Sequence, residues 1–177
     1  MRSIRIALLV AAVALAGIAA LSAFGSTSTH NRQNAVFHAI TAHNISDVQT
    51  KINGSANARN QIPAGTVLTY RTNAGNLGKM QIIRYGYNLR VRWVTYRPNG
   101  TVLSRGKNLL IRGTYNYDLD LGARAGQNDP TTDVWWEQAT QKRRYLDAMN
   151  GASFTIASYN PCELSASGGG GVDPCHK

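Results

Sequence analysis

From residue 109 to 121, the odd positions Leu109, Ile111, Tyr115, Tyr117, Leu119 and Leu121 are apolar or aromatic, while Arg112, Thr114, Asn116, Asp118 and Asp120 fall between them. A period of two is the mark of a strand with one buried and one wet face, and it assigns Tyr115 and Tyr117 to a core. Over residues 88–96 the same spacing puts Leu89, Val91 and Trp93 opposite Arg90 and Arg92. Arg97-Pro98-Asn99-Gly100 then supplies turn chemistry before Thr101-Val102-Leu103. Two further strands are predicted over residues 66–72 and 79–87, on either side of Asn73-Ala74-Gly75-Asn76, and a last one over 152–158.

Helical spacing is weak at Ala35, Val36, Phe37 and Ile40 and again at Ile45, Val48 and Ile52, and more extended toward the C-terminus. Residues 133–150 are predicted as a helix, with capping side chains in Asp129-Pro130-Thr131-Thr132-Asp133, a stop at Asn150-Gly151, and Trp135, Ala139, Leu146 and Met149 on roughly one face. Short antiparallel strands joined by tight turns, with no helices between them, point to an all-β fold. The expected architecture is a small β-sandwich or barrel with one C-terminal helix packed on it.

The ends of the chain read differently. Arg2 and Arg5 precede nineteen uncharged residues, 6–24, eight of them Ala, which is the build of an export signal over residues 1–25. An uncleaved anchor is the competing reading, since the apolar run approaches the ~20 residues that span a bilayer. Either way the expected location is extracytoplasmic, secreted or periplasmic, with no stable membrane span once a signal is removed. Residues 26–60 read as a leader or flexible arm, 61–160 as the β-rich domain and 161–177 as a tail. Cys162 and Cys175 are the only cysteines, and an oxidising compartment makes a disulfide across the Gly168–Gly171 run the default expectation.

Charge narrows the function. Of 177 residues, 19 are Lys or Arg and 9 are Asp or Glu, a formal net charge of +10. Between Asp47 and Asp118 there is no acid but there are eleven cations, several interleaved with Tyr85, Tyr87, Trp93 and Tyr96. Arg predominates, which favours planar anions, and the rings add stacking surface. If Tyr96 pairs with Thr101 across the turn, Arg92 faces Arg105 and Arg90 faces Lys107. A sheet holds such like charges only where solvent, an approaching acid such as Asp118 or Asp120, or a bound anion offsets them.

The leading expectation is a secreted, non-catalytic module that binds an anionic glycan or envelope polymer, with nucleic acid as a possible partner. Its contact residues would be Arg84, Arg90, Arg92, Arg105 and Arg112, with Tyr87 and Tyr96 for stacking. Catalytic and metal motifs are thin: there is no Gly-x-Ser-x-Gly elbow and no Gly-rich phosphate loop after a strand, His38 and His43 are poorly spaced for a metal, and no cofactor is expected. One alternative is a structural or protein-partner domain, with Trp135-Trp136, Val94, Tyr96, Leu103 and Leu110 as an apolar patch. Another is a cell-envelope hydrolase centred on Asp118, Asp120 and Glu137 or Trp136, although carboxylates along one strand seldom face each other across a cleft.

Overall fold

The computed structural model describes residues 28–45, 49–57 and 59–159; residues 1–25, the 161–177 tail and the Cys162/Cys175 pair lie outside the described residues. In chain order the elements are α1 (Ser28–Ala39), β1 (Lys51–Asn53), β2 (Val67–Arg71), β3 (Leu77–Arg84), β4 (Leu89–Tyr96), β5 (Val102–Ile111), β6 (Asn116–Asp118), β7 (Ala123–Ala125), β8 (Val134–Gln138), β9 (Arg144–Ala148) and β10 (Ser153–Ser158). They form two five-stranded antiparallel sheets. Sheet I has the order β10-β2-β3-β4-β5 and sheet II the order β1-β9-β8-β6-β7.

The alternating apolar residues explain why these sheets stack. Leu68, Tyr70, Met80, Ile82, Leu89, Val91, Trp93, Ile111 and Phe154 from sheet I meet Ile52, Tyr117, Val134, Trp136 and Leu146 from sheet II in one buried cluster. The protein is therefore a β-sandwich with one helix, as expected from the strand pattern. Tyr117 is in the core and Tyr115 packs against it. The 88–96 segment alternates strictly between buried and half-buried positions, whereas β2 and most of β3 are buried on both faces. The cause is α1, which lies on the outer face of sheet I with Phe37 and Ile40 against Val67.

The helix expected over residues 133–150 is instead a hairpin of β8 and β9, and the single helix lies at the other end of the described chain. Val134 and Trp136 point into the core while Trp135 and Glu137 point out, a period of two that favours β-structure. Leu146 pairs with Trp136 across the hairpin. Lys142, Arg143 and Arg144, which no helix face could gather, occupy the turn and the start of β9, where the Thr140 hydroxyl accepts the Lys142 and Arg143 amides at 3.2 and 2.9 Å. Asn150-Gly151 is not a helix stop. Both residues have positive φ (52° and 90°), and the Ala152 amide donates to the Met149 carbonyl at 2.9 Å, so this pair makes the tight turn that sends the chain from sheet II to the edge of sheet I.

Three smaller expectations also change. The 26–60 arm contains a docked helix and an edge strand. The 109–121 strand is two strands, broken at Gly113 and at Thr114, whose φ is 67°. The β4–β5 register differs because Arg97 pairs with Thr101. A three-residue loop with Gly100 at φ 80° closes the hairpin, and two irregularities then slip the strands. Arg105 faces Val94 and Arg90 faces Leu110, so neither like-charge pair expected on that edge exists.

Sheet I leaves no room for a Cβ at Gly78, where it would overlap the ring of fully buried Tyr70. Gly78→Ala is expected to lower stability by about 2 kcal/mol, read from the midpoint of chemical denaturation with an unchanged m-value.

Candidate ligand-binding face

The outer face of sheet I gathers the cations. On β4 the outward positions are Arg90, Arg92, Val94 and Tyr96, and on β3 they include Lys79, Gln81 and Arg84. The pairing Arg84↔Arg90 sets two guanidinium-bearing residues directly side by side. Arg105 and Lys107 on β5 are exposed at the far edge. Strands β2, β3, β4, β5 and β10 and the helix α1 contain no acidic residue. Arg84, Arg90, Arg92, Arg105 and Lys107 accordingly make no ion pair among the described residues.

Part of this face is used to hold α1. The Lys79 ammonium is buried and donates to the Phe37 and Ile40 carbonyls, both at 2.6 Å. These are carbonyls at the helix C-terminus, where the backbone has acceptors to spare and the dipole is negative. Two cations approach the Phe37 ring, Lys79 at 4.7 Å and Arg92 at 4.2 Å from its centroid. Arg92 also donates to the Asn34 side chain at 2.7 Å. Burial lowers the pKa of Lys79, and the Arg92 charge lowers it further; burial does the same to Arg92.

Beside the helix lies a cavity of about 320 Å³ lined by Asn34, Gly65, Gln81, Ile83 and Arg92. Arg92 Nε and Gln81 Oε1 are buried and have no hydrogen-bond partner among the described residues, and the same holds for both amide atoms of the neighbouring Gln33. Buried polar groups are rarely left in that condition, so the cavity has the makings of a seat for a polar guest.

The structure brings some expected contact residues together and separates others. Arg84 and Arg90 are paired, Arg92 is shared between helix and cavity, and Arg105 lies across β4 from Lys79 through Val94. Arg112 is exposed where the chain leaves β5, next to Gly113, which packs against the Tyr87 ring. Tyr87 is 58% exposed. Tyr96 is half-buried at the other end of the face, beside Leu77 and Val102. The apolar patch of the alternative reading is dispersed: Val94 packs under α1 and Trp136 is a fully buried core residue whose indole N–H donates to the Tyr87 carbonyl at 2.8 Å.

The described acids belong to sheet II and its loops. Asp118, Asp120 and Asp133 each place an oxygen within 4.8 Å of the others, an all-oxygen set of the kind that suits a hard cation. Asp133 was missed as a member because its segment reads as a helix cap; its carboxylate instead accepts the Asn73 and Leu119 amides, both at 2.7 Å. Burial raises its pKa to about 7 against those two bonds, with Asp120 and Asp118 adding to the rise. Glu137 stands apart from this trio, sharing Lys51 (3.0 Å) with Asp147 (3.1 Å) on the outer face of sheet II. Burial, with the adjacent Glu137, raises Asp147 to about 6. The hydrolase constellation expected from Asp118, Asp120 and Glu137 or Trp136 is thus divided among two acid groups and the core.

Comparison of the chain with protein-family models, with curated proteins and with solved structures finds no match.

Lys79→Met is expected to leave two helix-end carbonyls without their donor and to lower stability by about 2 kcal/mol, with α1 and the outer amides of β2 losing hydrogen-exchange protection first. A second expectation concerns pH. Asp133 holds its proton in the fold up to about pH 7 and Asp147 up to about pH 6, whereas unfolded Asp releases it near pH 4. The fold binds more protons in that window, so stability is greatest at its acid end and falls as pH rises through it. With a chelator present, thermal denaturation is expected to show a loss of about 2 kcal/mol between about pH 5 and about pH 7 from Asp133. Asp133→Asn should flatten that slope.

Proposed function

We propose that the protein is an exported, non-catalytic binding module that captures an anionic polymer, an acidic glycan or envelope polymer, on the outer face of sheet I. The observation that carries this reading is the segregation of charge by sheet. Most of the acid-free interval folds into β2 to β5 of sheet I, and β10 and α1, which complete and cover that sheet, also lack acids, while every described acid lies on sheet II or its loops. An anion approaching Arg84, Arg90, Arg105 and Lys107 meets no competing carboxylate among the described residues.

The face has two parts with different roles. Arg84 and Arg90, side by side at the β3–β4 end with Arg112 and exposed Tyr87 nearby, form the open part, where planar guanidinium groups suit sulfate, carboxylate or phosphate. The cavity beside α1 forms the closed part, where Arg92 Nε and Gln81 offer a buried donor and acceptor to a single polar group of the polymer. Bringing Arg84 and Arg90 together costs energy in the free protein, and an anionic ligand relieves that repulsion. The contribution is electrostatic capture with no bond chemistry.

Heparin, polygalacturonate, single-stranded DNA and neutral dextran, each titrated against the purified protein at low and high salt, separate the outcomes. The expected result is binding of an acidic glycan that weakens steeply with salt and drops about tenfold in Arg84→Ala/Arg90→Ala, but is unchanged in Lys142→Ala/Arg143→Ala on the β8–β9 turn. Absence of binding at low salt, or equal loss in both double variants, would contradict the assignment.

A further inference from the structure

Sheet II carries a groove of its own at its β7 edge. On the outer side of sheet II, Trp135, Asn116 and Ala125 line up across β8, β6 and β7, and beside them is a cavity of about 380 Å³, within the range of small-ligand pockets. Trp135 supplies aromatic surface from the outer side, Gln127 and Asn128 supply side-chain amides, and small Ala125 leaves space next to the indole, while Tyr115 and Arg124, the latter paired with core-facing Tyr117, come from the other side of the strands and line the cavity at the β7 edge. The Arg124 guanidinium is stacked 3.9 Å from the centroid of the Tyr115 ring, which orders its fork of donors. Asn116 Nδ2 donates to the Gly126 and Gln127 carbonyls at 3.1 and 2.9 Å and so holds the loop that forms one wall. Thr114 at the lip has a φ of 67°, a conformation uncommon for a β-branched residue and one that persists where surrounding structure enforces it.

We infer that this groove binds a saccharide ring bearing a single carboxylate, with the carboxylate at Arg124 and the ring's C–H face against Trp135. Each component of the groove matches one part of such a ligand. Aromatic surface takes the apolar face of a pyranose, amides take hydroxyls as donors or acceptors, and a stacked guanidinium takes a carboxylate in bidentate fashion. The surroundings disfavour a densely charged chain, because Asp147 is directly opposite Trp135 and Glu137 is two residues along on the same face, with a single cation, Lys51, shared between the two acids. A lone carboxylate on an otherwise neutral sugar is served by Arg124 without bringing further charge near those acids. This site is independent of the sheet I reading.

The chain has three tryptophans, and Trp93 and Trp136 are core residues, so a ligand-dependent change in fluorescence reports on Trp135. The experiment uses Arg84→Ala/Arg90→Ala protein at a salt concentration that suppresses the remaining sheet I capture, and titrates a xylotetraose carrying one glucuronate against its methyl ester. The expected result is a saturable change with the acid, about tenfold weaker binding of the ester, a similar loss in Arg124→Gln, and no signal in Trp135→Phe. No change with either sugar, or equal binding of acid and ester by unaltered Arg124, overturns the inference; tighter binding of single-stranded DNA than of the uronate does so as well. Because the ester comparison needs no substitution in the groove, it reads the site even where a variant misfolds.

Discussion

The Lys79 ammonium, buried against the C-terminal carbonyls of α1, is the contact on which the character of sheet I depends. A lysine in the middle of a strand would ordinarily reach for water, and burying its charge without a carboxylate is expensive. Here the end of a helix substitutes for the carboxylate, with two carbonyl acceptors and the negative pole of the dipole. The same contact seats Phe37 over Val67 and beside two cations. It turns β2 and β3 from half-buried strands into strands buried on both faces. It also sets Lys79 and Arg92, which hold the helix, apart from Arg84, Arg90, Arg105 and Lys107, which face solvent.

That division follows from α1 having no acid of its own. A helix carrying Asp or Glu on its inner face would neutralise the sheet beneath it; this one offers carbonyls, an asparagine and a ring, so the positive field persists around it. Sheet II is organised in the opposite sense. Its carboxylates are crowded enough that burial and mutual repulsion raise Asp133 to about 7 and Asp147 to about 6. The two sheets of one sandwich therefore differ in charge, with cations and no acid on sheet I and the described acids on sheet II, and the two proposed ligands, a polyanion and a mostly neutral ring, follow that difference.

Much of sheet I was legible in the sequence because its strands obey one rule at a time. Leu89, Val91 and Trp93 alternate with Arg90 and Arg92, and Pro98-Asn99-Gly100 permits few turn geometries. Register was not legible, since a single residue of slip at Gly100 moves every cross-strand partner. The β8–β9 hairpin was misread because Trp135, Ala139, Leu146 and Met149 fit a loose helical stripe. The decisive signals were the alternation of Val134 and Trp136 with Trp135 and Glu137, and Asn150-Gly151, which reads equally as a tight turn between strands and as a helix stop. The acid trio was half visible: Asp118 and Asp120 share a strand period, but Asp133 joins them only through tertiary packing against the Asn73 turn. The groove at Trp135 and Arg124 was invisible because its walls come from segments that meet only in the folded sheet.

Arginine-selective modification with p-hydroxyphenylglyoxal, with and without saturating heparin and read by peptide mass spectrometry, tests the central claim residue by residue. The account predicts that heparin protects Arg84, Arg90 and Arg105 while leaving Arg124 and Arg143 on the sheet II side as reactive as before. Protection of Arg124 and Arg143 to the same extent, or unchanged reactivity at Arg84 and Arg90, would contradict it.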